Sequence, residues 1–287
     1  PPAGSTATNC REVSGMRTMP SGVGSDGSRS FVVAEAGEQP ASIEAAAASE
    51  LDVLRAAGVE ISLAPLAHGP VFENIERPEG RRQHCLSAAD PVDPGVLPEA
   101  WRSPDALFLG PVAAELPATW ASIPAPFVAL GWQGLLRRLV VGADVERVPP
   151  RPDPLLTAAE LVGISAHDVD STVRLSDLVG LIRPGASLAV TRGDRGVMLV
   201  VSRRPARSSL RAYPAIPSNS VVDATGAGDV FLAALVAAKI DGDRLGLSEP
   251  AEILAFAAAA GSLAVERLGI EGAPTAEAVR RRMAEVA

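Results

Sequence analysis

The sequence predicts a doubly wound α/β fold, in which a mostly parallel sheet carries helices on both faces. Short apolar runs of strand length recur along the chain, and segments that contain proline and glycine separate them. Such continuous runs are typical of parallel strands that are buried on both faces. The chain has 287 residues, of which 47% are hydrophobic. This composition favours one α/β domain with a large core.

The expected elements alternate between strands and helices from residue 31 onward. Strands are expected at 31–34 and 59–63, with a helix at 45–57 between them that ends at Gly58. Further strands are expected at 106–109, 127–130, 161–164 and 187–190, and a turn at 191–196 leads into a strand at 197–201. Helices are expected at 230–239, 251–267 and 276–286. This order implies a doubly wound sheet.

The net charge, the cysteines and the apolar runs indicate which kinds of molecule the protein binds and where it is located. The formal net charge is −8 and the pI is about 5.0, which disfavours binding to nucleic acid or to an anionic membrane. Cys10 and Cys85 stand far apart and neither pairs with a histidine at metal-ligand spacing, so we expect free thiols in a reducing cytoplasm. No apolar run reaches the ~20 residues that span a bilayer. We therefore expect a small-molecule substrate and a cytoplasmic location.

Residues 221–230 carry the strongest chemical signal in the chain. The string runs Asp223-Ala224-Thr225-Gly226-Ala227-Gly228-Asp229 and opens an alanine-rich and leucine-rich helix. Small residues let backbone N–H groups approach an anion closely, and the helix dipole directs its positive end at the same place. Asp229 stands where this cradle meets the first helical turn, so its carboxylate can face a group that attacks a phosphoryl centre. The alternative is a tight turn with Asp229 as a helix cap.

This string resembles the C-terminal signature of the PfkB, or ribokinase-like, family of ATP-dependent carbohydrate kinases. The resemblance implies a ribokinase-like fold, and we expect a reduced lid because residues 1–30 do not match the part of the family that supplies it. It also implies that Asp229 is the catalytic base at the substrate hydroxyl. Thr225, Gly226, Ala227 and Gly228 would then bind the γ-phosphate of ATP. ATP and Mg²⁺ are the implied cofactors, with a monovalent cation as an additional candidate.

Two further segments resemble the nucleotide site of that family. Residues 188–197 resemble the strand and turn that border the nucleotide phosphates, which implies binding roles for Thr191, Gly193 and Gly196. Such a turn is also common in α/β proteins that bind nothing there. Residues 256–265 resemble the small-residue helix beside the adenine, with Ala260 and Gly261 at the ring. The alternative for this helix is a close contact between helix and sheet.

Two segments resemble the metal and acceptor regions of the family. Ser165-x-x-Asp168 stands where the family has an asparagine and a glutamate, which implies that Asp168 acts at the metal, most simply through water. Ser165 as a helix cap is the alternative. Residues 131–137 resemble a segment in a branch that includes plant inositol kinases, and residues 72–74 with Arg81 belong to the same comparison. Gln133 and Asn74 are therefore candidates to bind sugar or polyol hydroxyls, with a plain surface loop as the alternative.

The expected function is transfer of the γ-phosphoryl group of ATP to a hydroxyl of a sugar or polyol. Two alternatives stay open, a nucleoside kinase and a catalytically impaired member that binds nucleotide or regulates. Residues 1–30 are rich in glycine, serine and arginine, lack apolar periodicity and do not match the family. We therefore assign 1–30 as an atypical segment and 31–287 as the kinase domain, with a homodimer as a candidate assembly.

Overall fold

The computed structural model describes residues 31–36, 51–77, 80–112, 114–202 and 208–286. The atypical segment 1–30 and the first part of the expected helix 45–57 lie outside the described residues. Residues 51–56 are helical and form α1. The helix ends before Gly58, which has a φ of 80°. The expected end of the helix is confirmed, because glycine adopts this left-handed conformation without strain.

A six-stranded sheet forms the centre of the described structure. Its strands are β5 (Leu107–Leu109), β6 (Val128–Gly131), β9 (Leu161–Ser165), β10 (Ser187–Thr191), β11 (Val197–Val201) and β12 (Ser209–Tyr213), in the order β12-β11-β10-β9-β6-β5. The β5/β6, β6/β9 and β9/β10 pairs are parallel, and β11 and β12 are antiparallel additions. The expected α/β class with a mostly parallel sheet is confirmed.

Three small sheets accompany the central one. They are the parallel pair β1 (Phe31–Ala36) and β2 (Glu60–Pro65), the antiparallel pair β3 (Val71–Arg77) and β4 (Gly80–Ser87), and the short hairpin of β7 (Arg137–Arg138) and β8 (Glu146–Arg147). The turn of the β7–β8 hairpin is bonded to β4, since Cys85 N donates to Ala143 O at 2.8 Å and Val145 N donates to Gln83 O at 2.9 Å. These backbone bonds fix the hairpin against β4.

A side-chain cluster strengthens that junction. The Arg82 guanidinium on β4 donates to the Asp144 carboxylate, and His84 Nδ1 lies 3.2 Å from the other carboxylate oxygen. These contacts hold the pKa of Asp144 below its usual value, with the hydrogen bond from Arg82 as the largest cause. The three side chains link residues about sixty positions apart in the sequence.

The longer helices lie in the last third of the chain, as expected. The helices are α2 (Pro154–Ala158), α3 (Leu175–Val179), α4 (Ala227–Ile240), α5 (Gly242–Leu245), α6 (Pro250–Ala264) and α7 (Ala276–Val286). The expected helix 230–239 begins three residues earlier, and the helix expected to reach 267 ends at Ala264. No described helix combines the length and apolarity needed to cross a membrane.

Small side chains of β6 and β10 lie on the face of the central sheet that packs against α4. Successive residues of a strand point to opposite faces. Ala129 and Ala189 belong to the apolar cluster that contains α4, α6 and α7, whereas their neighbours Leu130 and Leu188 belong to the cluster on the other side. The small side chains let α4 lie close against the strands. A Cβ on Gly163 of β9 would lie 2.5 Å from Leu232 Cδ2.

Candidate active site

The first turn of α4 is open to an anion. Gly226 is the N-cap residue and has a φ of 79°, a conformation that glycine adopts without a steric cost. The first intrahelical bond runs from Val230 N to Gly226 O at 2.9 Å. Gly228 N has no hydrogen-bond partner among the described residues, and a Cβ on Gly228 would meet no heavy atom within 4 Å. This turn therefore offers a backbone donor in open space at the positive end of a helix of 14 residues.

Asp223 fixes the loop that leads into this turn. Its Oδ1 accepts a hydrogen bond from Thr225 N at 2.9 Å, and its Oδ2 accepts one from Gly269 N at 3.5 Å. Val265 O accepts hydrogen bonds from the backbone N–H groups of Val222 and Asp223, at 2.7 and 3.1 Å. The first carboxylate of the sequence string thus ties the cradle to the segment after α6. Its structural role was not assigned from the sequence.

Asp229 is the third residue of α4 and is exposed. Leu232, almost one helical turn further on, packs against β9, and a Cβ on Gly131 at the end of β6 would lie 4.0 Å from it. The first half of α4 therefore lies against the carboxyl halves of β6 and β9, near the edge where doubly wound folds bind their ligands. Asp229 and Gly226 border a pocket. Its other walls are mainly apolar: Leu54, Val230, Ala233, Ala264, Ile270 and Ala273.

The turn between β10 and β11 has the expected glycine geometry. Gly193 has a φ of 59° and Gly196 a φ of 75°. Thr191 Oγ1 donates to Ile164 O at 3.4 Å. A Cβ on Gly196 would lie 2.1 Å from Tyr213 O, so packing alone explains this glycine. The binding roles of Thr191, Gly193 and Gly196 at the phosphates stay predictions, because the structure also supports the purely structural interpretation.

The small residues of α6 lie in a helix–helix contact. Ala260 is fully buried, and a Cβ on Gly261 would lie 3.4 Å from both Ala227 O and Phe231 Cβ. The small side chains therefore let α6 approach the first turn of α4. The expected contact of Ala260 and Gly261 with an adenine ring stays a prediction, and the partner of this face in the structure is α4 instead of the sheet.

A second, polar cleft lies between β4 and the carboxyl edge of the sheet. Gln83, Gln133, Leu136, Arg137, Val145, Arg147 and Asp168 line it. Gln133 Nε2 donates to Asp168 Oδ1 at 3.0 Å, and Asp168 Oδ2 accepts from Ser165 N at 3.0 Å. The candidate acceptor residue and the candidate metal residue are thus in direct contact.

The alternative proposed for Ser165 is wrong in one respect. Residues 166–169 form a turn instead of a helix, so Ser165 caps no helix there. Its Oγ accepts a hydrogen bond from His167 N at 3.2 Å, and Asp168 N donates to Ser165 O at 3.0 Å. No group of three or more histidine, cysteine, aspartate or glutamate side chains within the described residues is arranged to hold a metal ion. The role of Asp168 at Mg²⁺ stays a prediction.

Asn74 lies in β3, and its side chain falls outside the described part of the structure. Its predicted contact with substrate is therefore untested. Gly134, in contrast, has a clear structural role. A Cβ there would lie 2.2 Å from Pro111 O, so the chain after β6 passes close to the backbone that follows β5. This close approach explains the glycine of the Gln133-Gly134 pair without a ligand.

Residues 157–276 match the pfkB family carbohydrate kinase model. The chain carries a PfkB-family segment. That segment contains Asp168, the β10–β11 turn, the whole of α4 and the small residues of α6. Gln133 and Asn74, the two acceptor candidates outside α4, precede it. The resemblance to the PfkB family is confirmed over this segment, which includes the string from Asp223 to Asp229.

Solved structures show that the PfkB segment is part of a ribokinase fold. A pyrophosphate-dependent kinase in the ribokinase family, complexed with a pyrophosphate analogue and myo-inositol, matches with a TM-score of 0.66 at 19% identity, over 91% of this chain and 86% of that one. Arabidopsis thaliana ribokinase complexed with ribose and ATP matches with a TM-score of 0.61 at 20% identity, over 89% and 82%. A nucleoside kinase from Methanocaldococcus jannaschii matches with a TM-score of 0.61 at 16% identity, over 90% and 82%.

Proposed function

We propose that this protein is a phosphotransferase that moves the γ-phosphoryl group of ATP to a hydroxyl of a sugar or polyol. The observation that carries the proposal is the first turn of α4. There the N–H of Gly228, which has no hydrogen-bond partner among the described residues, and the carboxylate of Asp229 lie on adjacent residues at one helix end. The membership of this turn in the PfkB segment supports the same assignment.

The two groups have complementary roles in the transfer. Backbone N–H donors at the helix end stabilise the negative charge on the phosphoryl oxygens while the group moves. The Asp229 carboxylate accepts the proton of the attacking hydroxyl, and such a base contributes ~10²–10⁴-fold to the rate. Because Asp229 is exposed, an acceptor hydroxyl can approach its carboxylate.

The residues of the site fit a metal held through water. Mg²⁺ bound with ATP neutralises charge on the phosphates. Each Asp168 oxygen accepts one hydrogen bond from the protein, and a carboxylate oxygen has a second lone pair that can accept from a metal-bound water. The monovalent cation, the homodimer and the cytoplasmic location expected from the sequence stay predictions.

A nucleoside is the second acceptor class that we propose to test. Leu54, Val230 and Ile270 give the pocket beside Asp229 an apolar wall, which suits a flat ring better than a ring of hydroxyls. Pyrophosphate is a second candidate donor, because one structure with the same fold is that of a pyrophosphate-dependent kinase. The catalytically impaired alternative predicts donor binding without transfer to any acceptor.

A turnover screen separates these possibilities. Purified protein is assayed for loss of the donor with ATP or pyrophosphate, against a panel of sugars, polyols and nucleosides. The Asp229→Asn variant controls for a contaminating kinase, and Asp243→Asn in α5 is the matched charge control. Acceptor-dependent turnover that Asp229→Asn abolishes supports the proposal. Donor binding by calorimetry with no turnover on any acceptor contradicts it and supports the impaired alternative.

A further inference from the structure

The β7–β8 hairpin places two arginines opposite each other. Arg137 pairs with Arg147 in the antiparallel register, and the next pair is Arg138 with Glu146. The second pair forms an ion pair between its side chains. The first pair consists of like charges, and like charges directly opposite on neighbouring strands destabilise a sheet. Folding alone gives no reason for this arrangement.

Neither arginine has a carboxylate partner among the described residues. Arg137 Nη1 donates to Val112 O at 3.4 Å, and a guanidinium has five N–H donors in all. The pKa of the Asp170 carboxyl is lowered, chiefly by the hydrogen bond from Thr172 N. The charge of Arg147 also lowers this pKa, but it is the smallest of the causes. The two do not form an ion pair within 4 Å. The Asp168 carboxylate in the cleft already accepts hydrogen bonds from Gln133 and Ser165.

Both arginines line the polar cleft described above. The remaining polar groups of that cleft are the amides of Gln83 and Gln133 and the Asp168 carboxylate. Arginine guanidinium groups bind carboxylate and phosphate oxygens in a bidentate manner, whereas amides suit hydroxyls. The protein has a formal net charge of −8, so two arginines beside one engaged carboxylate make this cleft a local exception that can attract an anion.

The cleft is built from two parts of the fold that are fixed to each other. Gln83 lies on β4, and its carbonyl accepts a hydrogen bond from Val145 N of the hairpin at 2.9 Å. The Asp144 cluster described above holds the same strands together. The positions of Arg137, Arg147 and Gln83 are therefore coupled, so the cleft is in large part preformed for its ligand.

We propose that Arg137 and Arg147 bind the anionic group of a polyhydroxylated acceptor, a carboxylate or a phosphate, whose hydroxyls contact Gln83 and Gln133. This inference rests on the proposed function, and it names the substrate class as an anionic polyol in place of a neutral sugar. The guanidinium pair contacts a part of the acceptor that does not react, so it determines specificity and does not transfer the phosphoryl group.

The test uses three compounds of one carbon skeleton: D-glucitol, D-gluconate and D-glucitol 6-phosphate. Binding of each to the full chain is measured by calorimetry without a phosphoryl donor, at constant ionic strength. We expect D-gluconate or D-glucitol 6-phosphate to bind at least ten times more tightly than D-glucitol. Comparison of D-gluconate with D-glucitol 6-phosphate shows whether the cleft prefers a carboxylate or a phosphate.

Arginine variants determine whether the tighter binding of the anionic compounds depends on this cleft. We expect Arg147→Gln and Arg137→Gln to lower the affinity for the anionic compound to that for D-glucitol. The matched control is Arg138→Gln, which removes the same charge from the same hairpin at the residue paired with Glu146. We expect it to leave the affinity within twofold of the native value. Circular dichroism melting confirms that each variant is folded.

Two results overturn the inference. One is equal affinity for all three compounds in the native protein. The other is a preference for the anionic compound that survives both Arg147→Gln and Arg137→Gln. Failure of the proposed function is a separate observation, because it appears as absent turnover or as turnover retained by Asp229→Asn. The binding series needs no turnover, so either idea can fail without the other.

Discussion

Replacement of Gly228 by alanine should strengthen the fold and weaken donor binding at once. A Cβ at this position would meet no heavy atom of the described residues within 4 Å outside its own turn of the helix, so we expect no clash. Gly228 is the second residue of α4, and alanine in place of glycine in a helix stabilises it by roughly 0.5–1 kcal/mol. For a chain of this size that gain corresponds to a rise in Tm of about 1–4 °C.

Donor binding should change in the opposite direction. The Cα–Cβ bond of a helical residue tilts toward the helix N-terminus, so the new methyl group would lie in front of the first turn. There it would obstruct the approach of a phosphate to Gly228 N. We expect ATP affinity to fall at least tenfold, which is about 1.4 kcal/mol. Gly228→Val places a larger, β-branched group there and should weaken binding further.

The assay combines thermal melting with calorimetric titration of ATP and Mg²⁺ in the absence of acceptor. Gly180→Ala at the end of α3 is the matched control, because its Cβ would make only ordinary contacts, the nearest at 3.4 Å with Ser176 O. We expect this variant to bind ATP as the native protein does. Folded Gly228→Ala and Gly228→Val variants with native ATP affinity would refute the assignment of this turn as the phosphate cradle.

Three further predictions concern the base, the packing of α4 and the hairpin junction. Asp229→Asn should lower kcat by ~10²–10⁴-fold and leave ATP affinity unchanged, and more than a tenth of native turnover would exclude the base assignment. Gly163→Ala should lower the free energy of unfolding in urea by about 1–3 kcal/mol, because its Cβ would overlap buried Leu232. Gly131→Ala is the control, since the nearest contact of its Cβ is at 3.8 Å, and its free energy of unfolding should stay within about 0.5 kcal/mol of the native value. The pKa of Asp144 is lowered in the folded state, so its contribution is present above the ordinary value of 3.8 and is lost as the pH falls through the lowered pKa. Asp144→Asn should therefore lower Tm at pH 6, and its difference from the native Tm should shrink as the pH falls below 3.8. A difference that is independent of pH would contradict this.

The local sequence was enough to predict strands that are buried on both faces and helices whose ends are recognisable from their residues. The four central parallel strands were predicted to within one residue at their start, because their apolar runs are buried on both faces. The helix at 276–286 was predicted with its observed bounds. Strand β12 was not predicted, since its side chains are exposed except for partly buried Tyr213, and it forms by pairing with β11. The two-residue strands of the hairpin carry no periodicity that a sequence could show.

The candidate site divides in the same way. The phosphate cradle from Asp223 to Asp229 could be predicted from the sequence alone, because a cradle at a helix N-terminus needs its residues in one continuous stretch. The tertiary structure decided which distant residues meet. Gln133 reaches Asp168 across 35 positions, and Asp223 bonds Gly269 across 46. Arg137 and Arg147 become neighbours only when the hairpin forms. Contacts of this kind depend on how strands and loops are arranged in space, and no local pattern in the sequence records that arrangement.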